Sequence, residues 1–251
     1  MAVLAFVAFG YAALCAGLYV GQRSLLYFPT PESQSMRAAV LRLETGGATL
    51  KVWHVAHGSD DAILYFGGNA EDVAWNIELF AALFLDSDLY LVNYRGYGGS
   101  SGSPSEAALL EDAEEVYDRI RADHARVAVV GRSLGSGVAV HLASVRDVHK
   151  IVLVTPYDSV MNVAKHQFPI FPVFLLLEDK FDSFSKARGI HVPMLLLLAE
   201  HDRVIPRRHS ERLAAALSPE HVRMRTIRGT DHDSIADSAE YHQALRDFLR
   251  F

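Results

Sequence analysis

The sequence has a single cysteine, Cys15, among its 251 residues, so no disulfide can form within the chain. One cysteine also leaves open which side of a membrane the protein occupies. No stretch is rich in lysine or arginine and the formal net charge is −6, which argues against nucleic acid as a partner. Half of the residues are hydrophobic, so the chain can build a sizeable core, and its length fits one large α/β domain.

Charge is also absent from the amino-terminal segment, where Arg23 is the first charged side chain. About 20 residues in a helix reach about 30 Å, the thickness of a bilayer's hydrocarbon core. We therefore predict that residues 1–22 form an uncleaved, single-pass membrane anchor. Two other interpretations stay open, a cleaved signal peptide, although its basic start is lacking, and a helix buried against the domain. The arginines that follow, Arg23, Arg37 and Arg42, only weakly favour a cytoplasmic domain, so the side of the membrane is undecided.

Two prolines, Pro29 and Pro31, end the helical segment, which predicts a linker over residues 23–37 and a folded domain over residues 38–251. Apolar runs then alternate with helical patterns, and such runs are typical of parallel strands covered by helices on both faces. Two glycines between the first two runs predict an antiparallel hairpin at the edge. The predicted strands are residues 39–43, 49–55, 62–66, 89–93, 127–130, 151–154, 194–198 and 223–227. The predicted helices are residues 71–85, 105–122, 134–144, 208–217 and 239–251, with Ser105 as an N-cap.

The connection between the strands that end at Val154 and begin at Met194 is much longer than a compact α/β link requires. We predict a small helical cap inserted over one end of the sheet, at about residues 157–190. Its apolar segment, residues 168–177, has two interpretations. It is either ordinary packing within the cap or the lining of an acyl pocket.

The motif Gly131-Arg132-Ser133-Leu134-Gly135 follows an apolar strand and precedes a helix. A tight strand-to-helix turn needs small flanking residues and presents the serine at the carboxyl end of the sheet, near the positive end of the helix dipole. A purely structural turn is the alternative. A phosphate-binding loop is excluded because no Lys-Ser/Thr follows, and a dinucleotide fingerprint would need glycine at the serine position.

A serine hydroxyl needs a base to take its proton and an acid to orient that base. In a sheet of this type the order along the chain is serine, acid and histidine, with the last two in loops after the final two strands. Asp202 and His232 occupy these places. We predict Ser133, Asp202 and His232 as the catalytic residues.

Other acidic and histidine residues compete for these roles. Glu200 and Asp158 also follow strands, and His201 neighbours the predicted acid but precedes the last strand. His54 and His57 lie three residues apart without a third ligand nearby, so no metal site is predicted.

The tetrahedral intermediate of acyl transfer needs two backbone N–H donors. One comes from the residue after the serine, Leu134, and the other from the glycine-containing loop over residues 67–70. We assign the second donor to Asn69, with Gly68 as the alternative. A further glycine-rich segment, residues 93–102, either supports the site or contacts the substrate.

Several motifs together resemble one known group of enzymes. The segments are Phe66-Gly-Gly-Asn-Ala, Asn93-Tyr-Arg-Gly-Tyr-Gly-Gly-Ser, the serine motif, Phe181-Asp-Ser, His201-Asp-Arg-Val-Ile-Pro and Asp231-His232. Over about residues 25–251 this ordered set is similar to the Bem46/ABHD13/ABHD17-like branch of α/β-hydrolases. The resemblance implies the α/β-hydrolase fold, the Ser133–Asp202–His232 triad and the Asn69/Leu134 oxyanion hole. One departure is Gly67, where many α/β-hydrolases have a supporting histidine.

The resemblance also implies that some relatives remove palmitoyl groups from proteins. We expect a membrane-anchored serine hydrolase that cleaves esters or thioesters, with lipid-like acyl groups as one option, through an acyl-enzyme and without a cofactor. The expected partners are a small-molecule or acylated substrate and the membrane. A serine peptidase or amidase is the second hypothesis, in which Glu178, Asp179 or Asp182 of the cap would bind a substrate amine. The third is a non-catalytic, membrane-tethered binding protein on a hydrolase scaffold.

Overall fold

Eight strands form one sheet in the computed structural model, which describes residues 1–251. The spatial order is β1-β2-β4-β3-β5-β6-β7-β8. Only β2 runs antiparallel to its neighbours, β1 and β4, and all other pairs are parallel. The predicted fold class, a mostly parallel α/β-hydrolase sheet with an antiparallel hairpin at one edge, is confirmed. The strands are β1 (Ala39–Thr45), β2 (Ala48–Val55), β3 (Asp61–Phe66), β4 (Asp88–Val92), β5 (Arg126–Arg132), β6 (Lys150–Val154), β7 (Met194–Ala199) and β8 (Val222–Ile227).

Helices cover both faces of this sheet because alternate strand residues point to opposite sides. In β3, Leu64 packs into one buried cluster with residues of α3, α4 and α8, and Tyr65 packs into the other with residues of α2 and α9. The helices are α1 (Ala2–Leu26), α2 (Ile77–Leu83), α3 (Glu106–Arg121), α4 (Leu134–Val145), α5 (Val160–Gln167), α6 (Val173–Leu176), α7 (Ser183–Ala187), α8 (Arg207–Ala216) and α9 (Ala239–Leu249). Two short 3-10 helices lie at Val73–Asn76 and Ser234–Asp237.

The starts of α3 and α2 can be compared with the predicted helix boundaries. The Ser105 side chain accepts the N–H of Ala108 at 3.3 Å, which confirms the predicted N-cap of α3. The prediction of one helix over residues 71–85 is wrong at its start. The Asp72 side chain instead caps a 3-10 helix by accepting the N–H of Ala74 at 3.0 Å, and α2 begins only at Ile77.

The amino-terminal helix α1 continues through Leu26, so residues 23–26 are helical rather than part of the predicted linker. Arg23 marks the predicted boundary because it is the first charge, but a charge alone does not end a helix. Its guanidinium lies 3.1 Å from the Asp179 carboxylate of the cap, and its carbonyl accepts the N–H of Tyr27 at 2.8 Å, so the helical hydrogen bonds continue past Arg23. The helix is long and apolar enough to cross a membrane by length and composition, and none of its residues is buried.

Helices α5, α6 and α7 lie in the long connection between β6 and β7 and form a small cap. The segment over residues 168–177 packs along α1. Hydrogen bonds join them where the Tyr11 hydroxyl donates to the Ile170 carbonyl at 2.7 Å and the Gln22 side chain donates to the Leu176 carbonyl at 3.0 Å.

Candidate active site

The serine motif forms a strained turn between β5 and α4. Ser133 has φ 48° and ψ −113°, a region that side-chain-bearing residues rarely adopt. A Cβ on Gly131 would lie 2.3 Å from the Gly135 carbonyl oxygen, and a Cβ on Gly135 would lie 2.1 Å from the Phe66 carbonyl oxygen. Both glycines are therefore required for the close approach of the α4 start to β3, and the turn presents the Ser133 hydroxyl at the carboxyl end of the sheet.

The structure brings Ser133, His232 and Asp202 into one hydrogen-bonded chain, although they come from three separate loops. His232 Nε2 lies 2.9 Å from Ser133 Oγ, and His232 Nδ1 lies 2.8 Å from Asp202 Oδ2. The other Asp202 oxygen accepts the backbone N–H groups of Val204 and Ile205 at 2.9 and 2.8 Å. Because both carboxylate oxygens are engaged, the orientation of Asp202 toward the imidazole is fixed.

The competing residues lie elsewhere. Asp158 is fully buried and contacts His209 Nδ1 at 2.7 Å and the Asn162 side chain at 2.7 Å. Glu200 accepts the N–H of Gly229 at 2.8 Å, and His201 is exposed beside it. None of them contacts His232 or Ser133, so the geometry leaves Asp202 as the acidic neighbour of His232.

Two backbone N–H groups beside Ser133 are candidate oxyanion donors. Leu134 is the first residue of α4, so its N–H has no partner within the helix. The N–H of Gly68 is engaged, since it donates to Glu71 Oε2 at 2.5 Å. The N–H of Asn69 donates to no group of the protein. The sequence assigns the second donor to Asn69 with Gly68 as the alternative, and the geometry favours Asn69.

A largely buried ion pair that the sequence did not indicate links this loop to the histidine loop. Glu71 Oε2 also accepts from Arg132 Nη1 at 3.0 Å, and Arg132 Nη2 donates to the His232 carbonyl at 3.1 Å. Burial alone would lower the pKa of Arg132, but the charge of Glu71 raises it. Burial, and then the charge of Glu71, raise the pKa of Tyr65, whose hydroxyl donates to Glu71 Oε1 at 2.5 Å. Arg132 occupies an unspecified position of the Gly-x-Ser-x-Gly motif, so the motif does not indicate that it pairs with Glu71.

The glycine-rich segment over residues 93–102 contacts the candidate oxyanion loop but does not line the cavity next to Ser133. Tyr97 donates its hydroxyl to the Asn69 side-chain oxygen at 2.7 Å. The same oxygen accepts the N–H of Phe28 at 3.0 Å, and the Asn69 amide donates to the Leu26 carbonyl at 2.6 Å. The end of α1 is thereby tied to the candidate oxyanion loop.

A cavity of about 660 Å³ opens above Ser133. Its lining is mostly apolar, with 16 hydrophobic residues among 20, and its volume is in the range of about 300–1,000 Å³ usual for ligand pockets. The candidate site contributes Asn69, Ser133 and Leu134. The remaining walls come from α1 and the following turn (Leu18, Gln22, Leu25, Leu26, Phe28), from the cap (Val160, Val163, Ala164, Gln167, Phe168, Phe171, Val173, Leu176, Leu177) and from Tyr157, Val204 and Ile205.

A model of the "Alpha/beta hydrolase family" matches residues 55–185 of the chain. The chain belongs to the α/β-hydrolase family. Protein Rv2307c of Mycobacterium tuberculosis is 34% identical over 98% of this chain and 94% of its own length. The lysophosphatidylserine lipase ABHD12 of Xenopus tropicalis is 33% identical over 84% of this chain and 63% of its own length. Relatives named bem46, ABHD17C and ABHD12B match as well, which confirms the predicted branch.

Among solved structures, an esterase of Pyrococcus furiosus, Pf2001, superposes with a TM-score of 0.73 over 89% of this chain and 98% of its own. At 17% sequence identity this likeness shows the fold alone. Membership of the family, with a lipase among the relatives at higher identity, supports hydrolase activity for this chain.

Proposed function

We propose that the protein is a serine hydrolase in which Ser133 attacks a carboxylic ester or thioester. The observation that carries this proposal is the hydrogen-bonded chain from Ser133 Oγ through His232 to Asp202, at 2.9 and 2.8 Å. His232 takes the hydroxyl proton as Ser133 attacks, and then gives it to the leaving alcohol or thiol. In the second half His232 deprotonates a water molecule, which releases the acid and regenerates Ser133.

The negative charge that develops on the carbonyl oxygen is stabilised by the N–H groups of Asn69 and Leu134. Both residues line the cavity together with Ser133. The proposed steps use only these side chains, two backbone amides and water.

The character of the cavity favours acyl esters over aminoacyl amides. The three cap acids that could bind a substrate amine do not line it. Asp179 pairs with Arg23 and Tyr27, Glu178 accepts from Tyr19 at 2.8 Å, and Asp182 caps α7 by accepting the N–H of Ser185 at 3.1 Å. Their partners already account for these carboxylates, so a peptidase or amidase has less support than an esterase or thioesterase.

The proposed place of action is a membrane surface, with α1 as a single-pass anchor for the domain over residues 38–251. Its length, its apolar composition and its exposed side chains support this assignment. A lipase among the curated relatives is in keeping with a substrate that carries an acyl chain.

A fluorophosphonate probe tests the reaction class, because it labels a serine only when the hydroxyl is activated. We expect wild-type protein in detergent to be labelled and the Ser133→Ala variant to be unlabelled. A panel of acyl esters, acyl thioesters and aminoacyl amides then distinguishes the substrate classes. Absence of labelling in folded wild-type protein would favour a binding protein on a hydrolase scaffold, and preferred turnover of amides would favour the peptidase alternative.

A further inference from the structure

One face of α1 is turned toward the cavity rather than away from the domain. Leu18, Gln22, Leu25 and Leu26 all line the cavity. Gln22 lies four residues after Leu18 and three and four residues before Leu25 and Leu26, which places them on one side of a helix. The neighbouring Val20 is not part of this lining and is 85% exposed. The amino-terminal helix is therefore a wall of the cavity as well as a candidate anchor.

The opposite wall is the cap segment over residues 168–177, which is apolar on both of its sides. Phe168, Phe171 and Leu176 line the cavity. Ile170, Phe174 and Leu175 do not line it and are 72%, 54% and 68% exposed. Large apolar side chains grouped on a surface mark a contact with another apolar phase.

Hydrogen bonds fix the position of the cap segment along α1. The segment extends from the contact of Leu176 with Gln22 to the contact of Ile170 with Tyr11, which is about 16 Å along the helix axis. Arg23 pairs with Glu178 and Asp179 just beyond the Gln22 end, at 3.6 and 3.1 Å. Charges are costly in hydrocarbon, so this charged cluster belongs at the water–lipid boundary when α1 spans a bilayer.

The rest of the segment then lies on the hydrocarbon side of that boundary. Backbone polar groups at that depth need partners within the protein, because hydrocarbon supplies none. Tyr11 and Gln22 of α1 supply partners for the Ile170 and Leu176 carbonyls, and the rings of Tyr11 and Phe171 stack with their centroids 6.1 Å apart.

We propose that residues 168–177 of the cap enter the bilayer beside α1, and that the cavity between them takes a long acyl chain directly from the membrane. The substrate class is a membrane-resident ester or thioester with one long chain seated between α1 and the cap and its carbonyl at Ser133. This inference rests on the proposed serine hydrolase function and adds the source and the path of the substrate.

The first arm of the test places a tryptophan in each wall of the full-length protein, in phosphatidylcholine vesicles. The substrates are a series of thioesters from butyryl to palmitoyl. We expect Leu18→Trp and Leu176→Trp each to lower the palmitoyl-to-butyryl ratio of kcat/KM by about tenfold or more, since a filled apolar pocket discriminates chain length at this scale. The matched control, Val20→Trp, changes the outward face of the same helix and should keep the wild-type ratio.

The second arm measures insertion of the cap. Single cysteines at Ile170→Cys and, on the exposed surface of β8, Met224→Cys are made in a Cys15→Ala background and carry an environment-sensitive fluorophore. Bromine-bearing lipids should quench the probe at residue 170 and leave the probe at residue 224 unchanged.

The possible failures are distinguishable. If Ser133 is labelled by fluorophosphonate but both wall variants keep the wild-type chain-length ratio, the proposed acyl path is wrong. If the probe at residue 170 is no more quenched than the probe at residue 224, the cap does not enter the bilayer. If the wild-type protein is neither labelled nor active on any thioester, the serine hydrolase proposal itself fails.

Discussion

The two sides of the cavity are built by different means. On the sheet side, Asp202, Glu71 and Arg132 each hold several polar partners, and their side chains are 6%, 6% and 15% exposed. On the side of α1 and the cap, the lining is apolar apart from Gln22 and Gln167. Hydrogen bonds from Tyr11 to the Ile170 carbonyl and from Gln22 to the Leu176 carbonyl join these two elements. Directional hydrogen bonds fix the polar groups of the candidate site on one side, whereas the other side offers non-directional apolar contact.

This difference suggests a division of roles. Proton transfer requires donors and acceptors held within about 0.5 Å of the productive geometry, and groups fixed by hydrogen bonds and packing provide that. An apolar wall selects by size and shape, so it can accept a range of acyl groups. Changes on the sheet side should therefore affect the rate or the fold strongly, and changes on the apolar side should affect them less.

The largest effect is expected from Asp202→Asn. The amide cannot stabilise a protonated imidazole and favours the wrong tautomer of His232, so kcat on a short ester should fall by about 10³–10⁴-fold. The measurement is ester hydrolysis at pH 7 with folding checked by circular dichroism. Glu200→Gln is the matched control, because Glu200 is the other acid after β7 and should keep kcat within about threefold. Equal losses in both variants would contradict the assignment of Asp202.

The second largest effect is expected from Glu71→Gln. This change leaves the charge of the largely buried Arg132 unpaired and weakens the acceptor of the Gly68 N–H. Breaking such a pair costs about 3–5 kcal/mol, which corresponds to a fall in Tm of roughly 10 °C for a domain of this size. Because the pair joins the Asn69 and His232 loops, kcat should fall as well.

The control for this variant is Glu78→Gln. Glu78 makes an ion pair with Arg37 at 3.0 Å, and its side chain is 72% exposed, so the loss should be within about 1 kcal/mol. The comparison uses Tm and kcat measured on the same preparations. A Tm for Glu71→Gln that matches the control would show that the Glu71–Arg132 pair does not stabilise the site.

The smallest effect is expected on the apolar side, from Asp179→Asn. The variant loses a charged acceptor for Arg23 Nε and the Tyr27 hydroxyl, both at 3.1 Å. Arg23 is half exposed and can still reach Glu178, so we expect a loss of about 1 kcal/mol and a fall in Tm of about 2–4 °C. Glu178→Gln, at the same junction but more exposed, should shift Tm less. If Asp179→Asn lowers Tm as far as Glu71→Gln, the polar contacts on the two sides of the cavity stabilise the fold equally.

Much of the fold could be predicted from the sequence because its signals are local. Apolar runs of strand length, the small residues around Ser133 and the N-cap Ser105 each act within a few residues. The start of α2 was predicted wrongly because helical periodicity, which is also a local signal, continues through residues 71–76. In the structure the Glu71 side chain accepts the N–H of Gly68, and Asp72 caps a 3-10 helix instead.

The sequence by itself determined the order of strands and helices, the positions of Ser133, Asp202 and His232 after three of the strands, and the apolar character of α1. Only the tertiary structure decided that Glu71 engages the N–H of Gly68 and leaves that of Asn69 free, that Arg132 bridges two loops, and that α1 lines the cavity. The physical reason is the range of the contacts. A turn or a strand depends on neighbouring residues, whereas Tyr11 with Ile170 or Glu71 with Arg132 become neighbours only after the chain has packed.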